Sequence, residues 1–197
     1  MIDLGAQLLN QGHILALPTD TVYGLAVSLH QPAAIARLFE LKKRSPEKAL
    51  PILVSSIEML KSLVLDIPES AMPLLMAYWP GPLTLVLPKS SKVPDLVTSG
   101  KPTVGIRMPN HDYCLALINK VGPLVVTSAN ISGEPSLLTA KAVKEQFKDQ
   151  IKWAIETDAL GQESSAVVDM SEDPPKILRE GVLSAMQIYR VLPSLRD

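Results

Sequence analysis

Apolar residues recur along this chain with two periods, and their alternation lays out most of its elements. Leu4, Leu8 and Leu9 share one side of a helical spacing over residues 3–10, and Gly12 is its stop. Residues 13–17 read as a first strand. A polar turn, Pro18-Thr19-Asp20-Thr21, then leads into a second apolar run that closes near Ser28, which is the pattern of a hairpin or a bend. Ile35, Leu38 and Phe39 mark one face of a helix over residues 32–42. Further strands are expected at residues 50–54, 84–87, 103–107, 124–126, 153–156, 166–170 and 176–179. Helices are expected at residues 57–64 and 71–78, after Asn110 as N-cap, from Thr139 as N-cap to near Lys148, and from about Ser184. Trp79-Pro80-Gly81-Pro82 stops one helix, and residues 88–102, rich in Ser, Lys, Pro and Gly, read as a surface loop and candidate lid. Strands and helices are interspersed with hairpin-like links at both ends. That order predicts an α/β (α+β) chain with a mixed sheet and helices packed on it.

Composition narrows the function. With 197 residues and 47% apolar content the chain suits one domain, 1–197, with a proper core. Lys+Arg 19 against Asp+Glu 20 leaves a net charge of -1, so any recognition of phosphate must be local. The single cysteine, Cys114, excludes an internal disulfide and fits a reducing cytoplasm; its neighbours Leu115, Leu117 and Ile118 mark it as a core thiol. No charged and apolar leader opens the chain, and no run nears the roughly 20 apolar residues that span a bilayer, so no membrane partner is expected.

The candidate chemistry centres on Lys42-Lys43-Arg44-Ser45-Pro46-Glu47-Lys48, four cations within seven residues where a helix ends at a proline. Two readings fit: cations complementing the helix C-terminus, or an anion site in which a planar Arg fork and a mobile Lys share a polyphosphate. His13, His30 and His111 lack ligand spacing, so neither a zinc site nor a Ser-His triad is supported, and the absence of a Walker-type loop and of a G-x-G-x-x-G turn removes the two commonest nucleotide folds. No metal-ligand set remains. What does remain is a set of cations (Lys42, Arg44, Lys48, Arg107, Arg179) and a set of hydroxyl or amide groups (Thr21, Ser128, Asn130, Ser136, Ser165). These suit phosphoryl or nucleotidyl transfer, which depends on positioning and charge neutralisation.

Seven ordered motifs carry a resemblance. They are P-T-D-T-V-Y-G-L at 18–25, K-x-R at Lys42 and Arg44 with Lys48 following, W-P-G-P-L-T at 79–84, T-V-G-I-R-M-P at 103–109, S-A-N-I-S-G-E-P-S at 128–136, S-A-V-V-D at 165–169 and L-R-E-G at 178–181. Together the chain resembles the YrdC domain of threonylcarbamoyl-AMP synthases. The resemblance implies a twisted mixed sheet flanked by helices around a concave cationic cleft. It implies a nucleotidyltransferase that joins L-threonine, bicarbonate or CO2, and ATP into threonylcarbamoyl-adenylate and pyrophosphate, with Mg2+ accompanying ATP. A partner complex would then transfer the group to tRNA beside the anticodon. On the same ground Lys42, Arg44 and Lys48 are the catalytic cations, and Thr21, Arg107 and Ser165 hold threonine, Arg107 through a bidentate grip on its carboxylate. Arg44, Lys48, Thr103, Ser128, Asn130, Ser136 and Arg179 serve ATP.

Some positions depart from the family pattern: Ser45 and Ala49 stand where Pro is frequent, Leu53 where some members carry a His near threonine, and Ala166 where Thr is common. The ending at Asp197 resembles the short form of the family. Two competing readings are an RNA-binding module for tRNA or double-stranded RNA on the same fold, and a divergent paralogue acting on another nucleotide or acyl-adenylate.

Overall fold

The computed structural model describes residues 1–193, so the span expected for the domain, 1–197, ends outside the described residues. Eight strands form one mixed sheet: β1 (Leu15–Leu17), β2 (Gly24–Ser28), β3 (Ile52–Leu53), β4 (Leu83–Pro88), β5 (Thr103–Arg107), β6 (Leu124–Ser128), β7 (Ala166–Asp169) and β8 (Lys176–Arg179). Their spatial order is β1-β2-β6-β3-β5-β4-β7-β8. The β3/β5 and β4/β7 pairs are parallel, and the other five are antiparallel. The helices are α1 (Ile2–Asn10), α2 (Pro32–Leu41), α3 (Ile57–Leu63), α4 (Met72–Tyr78), α5 (Asp95–Thr98), α6 (Asp112–Val121), α7 (Ala140–Phe147) and α8 (Ala185–Val191). None of them is long and apolar enough to cross a membrane.

Strand alternation decides which side of the sheet holds the site. Ala16, Leu25, Val27, Ile52, Leu85, Val104, Ile106, Val125 and Val168 point to one face and form the larger core with Ile35, Leu38, Leu60, Leu74, Phe147 and Ile188 from α2, α3, α4, α7 and α8. On the opposite face Leu15, Leu17, Ala26, Leu53, Leu124 and Val126 pack under α1 and α6, through Ala6, Leu9, Cys114, Leu117 and Ile118. These two helices cover only that part of the face. Over β5, β4 and β7 the same face carries Thr103, Gly105, Arg107, Thr84, Val86, Val167 and Asp169, and all of them line open space. The uncovered half of the sheet is therefore the floor of a cleft.

Several boundaries differ from the sequence expectation, each with a local cause. Residues 153–156 are not a strand. Only Lys152 bridges to Leu15, and the chain then turns away so that Asp158 Oδ1 accepts from Ala140 N at the start of α7. Asn110 does not cap α6; the N-cap is His111, without a side-chain cap bond. Residues 88–102 carry a turn of helix, α5, pinned by Leu50 N to Val97 O at 2.8 Å and by Ser90 N to Leu63 O at 2.8 Å, with Val93, Val97 and Thr98 buried. Such anchoring ties the segment to the core. Thr139 caps α7 and Ser184 opens α8 with a capping box completed by Gln187.

Candidate functional site

The end of α2 sets the cationic stretch. Arg44 N bonds Phe39 O and Lys43 N bonds Glu40 O, the paired bonds of a Schellman ending, and Lys43 takes the left-handed residue with φ 49°. This turn sends Lys42 and Arg44 in different directions. Lys42 runs inward, 1% exposed, and its Nζ donates to Ser128 O at 2.5 Å, to Asn130 O at 2.8 Å and to Asn130 Oδ1 at 2.8 Å. Ser132 N returns a bond to Lys42 O. All three ammonium protons thus hold the loop after β6, and Lys42 stands behind the cleft wall. The expectation of a phosphate-facing cation at Lys42 is revised accordingly. Burial, and then the charge of Arg44, push its pKa down to about 8.

Arg44 faces the cleft. Nε donates to Lys48 O and Nη2 to Ala49 O, so the guanidinium closes its own loop while keeping its charge, with no carboxylate partner among the described residues. Lys48 is exposed and lies outside the lining. Arg179, at the end of β8, donates from Nη2 to Ser165 O at 2.8 Å. Burial lowers the pKa of both Arg44 and Arg179, and Arg107 adds to the effect on Arg179, as expected where like charges converge.

The turn between β1 and β2 builds the opposite wall. Thr19 Oγ1 donates to Val22 O at 2.6 Å, so its oxygen is left to accept from Thr21 N at 3.1 Å and from the Thr21 hydroxyl at 3.0 Å. Thr21 Oγ1 in turn accepts from Arg107 Nη1 at 2.8 Å, which leaves it a single lone pair for a ligand. Arg107, carried to this point by β5, also donates from Nε to Gly81 O at 2.9 Å and from Nη2 to Asp20 Oδ1. With Nε occupied, one N–H on each terminal nitrogen remains, and a grip that uses the Nε edge is closed. Gly81 is required by close approach, since a Cβ there would lie 2.5 Å from Tyr78 O.

Two connected chambers result. The smaller, about 240 Å³, is lined by Thr19, Thr21, Leu53, Arg107, Val126, Ser128 and Ser136, among others. A second, about 450 Å³, is lined by Ala49, Leu50, Val86, Lys101, Thr103, Gly105, Val167, Asp169 and Leu178. Arg44, Pro51, Thr84, Ser165 and Arg179 line both. Thr21, Arg44, Arg107, Ser128, Ser136, Ser165 and Arg179 therefore meet in one chamber, Thr103 sits in the other, and Lys42, Lys48 and Asn130 line neither. Asn130 is held behind the wall: Oδ1 accepts from Ser128 Oγ at 2.7 Å and from Lys42, and Nδ2 donates to Glu134 O. A larger groove, about 710 Å³, runs between α2 and α7, where Arg37 and Lys43 are matched by Glu40 and Glu134. It lacks a charge excess.

Sequence reasoning passed over two participants. Thr84 Oγ1 lies 2.8 Å from Ser165 Oγ, at the junction of the chambers; its signal was a polar residue opening an otherwise apolar strand. Asp20 was visible as the only carboxylate in its turn, but only β5 reveals that it meets Arg107. His111, at the start of α6, has its pKa lowered by burial.

Hydroxyls and carboxylate-free arginines on an open sheet half, beside a Ser-x-Asn loop at a strand end, define an α/β domain built to receive anionic and small polar ligands. The chain belongs to the Sua5/YciO/YrdC family: that family's model, described as telomere recombination, matches residues 7–181. It is 42% identical over 198 residues to a threonylcarbamoyl-AMP synthase of Pyrococcus abyssi, covering 99% of this chain and 58% of that protein. It is 34% identical over 182 residues to a putative threonylcarbamoyl-AMP synthase of Mycobacterium tuberculosis, covering 92% and 84%. Among solved structures, P. abyssi Sua5 complexed with L-threonine superimposes with TM-score 0.94 at 41% identity, over 98% of this chain and 58% of that one. The chain thus spans little more than half the length of the Pyrococcus relative.

Proposed function

We propose that this protein is a threonylcarbamoyl-AMP synthase that condenses L-threonine, bicarbonate or CO2, and ATP, and releases pyrophosphate. The observation that carries the reading is the pair of chambers joined at Arg44, Thr84, Ser165 and Arg179, one sized for an amino acid and the other for a nucleoside. Threonine occupies the smaller, its carboxylate on the terminal nitrogens of Arg107 and its amine on the free lone pair of Thr21. The amine adds to CO2 and loses a proton; a carbamate oxygen then attacks the α-phosphorus, and the α–β bridging oxygen leaves with pyrophosphate. Arg44 and Arg179 stand at the junction, where the leaving charge develops. Lys48, on the exposed rim, adds long-range attraction. Thr103 and Ser136 line the path of the nucleotide.

Ser128, whose proton goes to Asn130 Oδ1, offers acceptor lone pairs, so it suits an ammonium or a ribose hydroxyl better than a phosphate. Among the described residues Asp169 is the only carboxylate of the lining, and its Oδ1 accepts from Ser171 N and Oγ. Mg2+ would therefore be held by phosphate oxygens and water, arriving with ATP. The product passes to the complex that modifies tRNA in the cytoplasm. The test is incubation with ATP, Mg2+ and bicarbonate, with and without threonine, followed by pyrophosphate assay and mass spectrometry. Adenylate that requires both threonine and bicarbonate is the expected result; ATP turnover indifferent to threonine refutes the reading.

A further inference from the structure

Three arginines line the smaller chamber, and their environments differ. Arg44 and Arg179 bond to backbone carbonyls and have no carboxylate partner among the described residues, so each presents a net positive charge. Arg107 is 6% exposed and pairs with Asp20, whose side chain is 11% exposed. The pair is neutral as a unit. It can still donate two N–H groups, yet it exerts little net attraction on a distant anion.

We propose that Asp20 is a positioning residue that sets anion selectivity: its carboxylate cancels the charge of Arg107 and reserves that guanidinium for a single carboxylate, against pyrophosphate or triphosphate. This rests on the synthase reading above. The two chambers share Arg44 and Arg179, so a polyphosphate held by these two guanidiniums also borders the amino-acid chamber. A third bare arginine there would invite it. Asp20 opposes this by repulsion, while a carboxylate carrying one charge gains hydrogen bonds that outweigh that repulsion.

The turn holds Asp20 in place. Thr19 ties Thr21 and Val22, Leu160 N bonds Thr19 O at 2.9 Å, and a Cβ at Gly161 would lie 2.6 Å from the carbonyls of both Asp20 and Thr21. Asp20 does not line the cleft, so its effect passes through Arg107.

The test is calorimetric titration of L-threonine into wild type, Asp20→Asn and Asp20→Glu, each with and without saturating pyrophosphate. Wild type should bind threonine with an affinity that pyrophosphate changes less than about twofold. Asp20→Asn should still bind threonine, but pyrophosphate should now compete with it and weaken its apparent affinity about tenfold, while ATP affinity moves less than about threefold. Asp20→Glu, which keeps the charge, should restore exclusion of pyrophosphate. A variant that is merely misshapen would lose threonine without gaining competition. Competition already present in wild type, or none in a folded Asp20→Asn, overturns the proposal; Asp20→Ser, which also removes the charge, takes its place if Asp20→Asn fails to fold. If wild type binds threonine but makes no adenylate, the synthase reading fails while the filter is still judged. If it binds neither threonine nor ATP, both fall.

Discussion

Replacing Lys42 with Met separates a phosphate ligand from a loop clamp. Lys42 makes three charge-assisted hydrogen bonds, to Ser128 O, Asn130 O and Asn130 Oδ1. At about 1.5 to 3 kcal/mol each they total roughly 5 to 9 kcal/mol. Burying the ammonium opposes this: a pKa pushed from 10.5 to about 8 corresponds to about 3 kcal/mol. Met keeps the apolar stem but strands the acceptors, so a net loss of about 2 to 6 kcal/mol is expected. Urea unfolding at pH 7 measures it through the midpoint, with the slope as a check on two-state behaviour. An unchanged midpoint with a large loss of ATP affinity would refute the clamp and return Lys42 to the phosphates. The pH dependence supplies a second arm. Between about pH 8 and 10.5 the unfolded chain holds the Lys42 proton and the native chain does not, so this group's contribution to stability rises with pH over that window. The rise, up to about 3 kcal/mol, should vanish in Lys42→Met.

Arg44→Ala should cost about 2 to 5 kcal/mol of ATP or transition-state binding with little change in melting temperature, checked by steady-state kinetics and thermal unfolding. Arg107→Ala should weaken threonine more than ATP, read from the two Michaelis constants; equal losses would move Arg107 to the junction of the chambers. Lys43→Gly should raise stability by about 0.5 to 1 kcal/mol, because φ 49° favours glycine and the side chain is exposed, measured by the urea midpoint. Thr139→Ala should remove the bond that Thr139 Oγ1 accepts from Ala142 N and cost about 1 kcal/mol in the same assay.

The larger elements were legible because each bears a complete local signal. Thr103–Arg107 alternates and ends at a proline turn, α7 begins at a Thr cap, and α2 carries its apolar face on Ile35, Leu38 and Phe39. Where sequence misled, the deciding interaction was distant. Residues 153–156 have strand-like composition, but after one bridge at Lys152 the chain leaves β1 for the start of α7, where Asp158 accepts from Ala140 N, and nothing near Trp153 encodes that distant partner. The K-x-R spacing marked Lys42 and Arg44 as one anion site; a Schellman turn at Lys43 splits them, one inward and one toward the cleft. Asp20 and Arg107 are 87 residues apart, and only strand register, with Leu53 against Arg107 on β3 and β5, brings that arginine beside the turn.

The order of strands also explains why these cations can share a cleft without disrupting it. Each carries a different degree of compensation. Lys42 is neutralised by dipoles alone and stays dry; Arg107 has a carboxylate and sits on the floor; Arg44 and Arg179 have carbonyls only and face the opening. Two guanidiniums at an open junction repel each other weakly where solvent reaches them. A polyphosphate that displaced solvent there would meet the same two charges at lower dielectric. The two guanidiniums without a carboxylate partner among the described residues are thus the ones at the opening, and the unmet positive charge lies at the junction of the chambers.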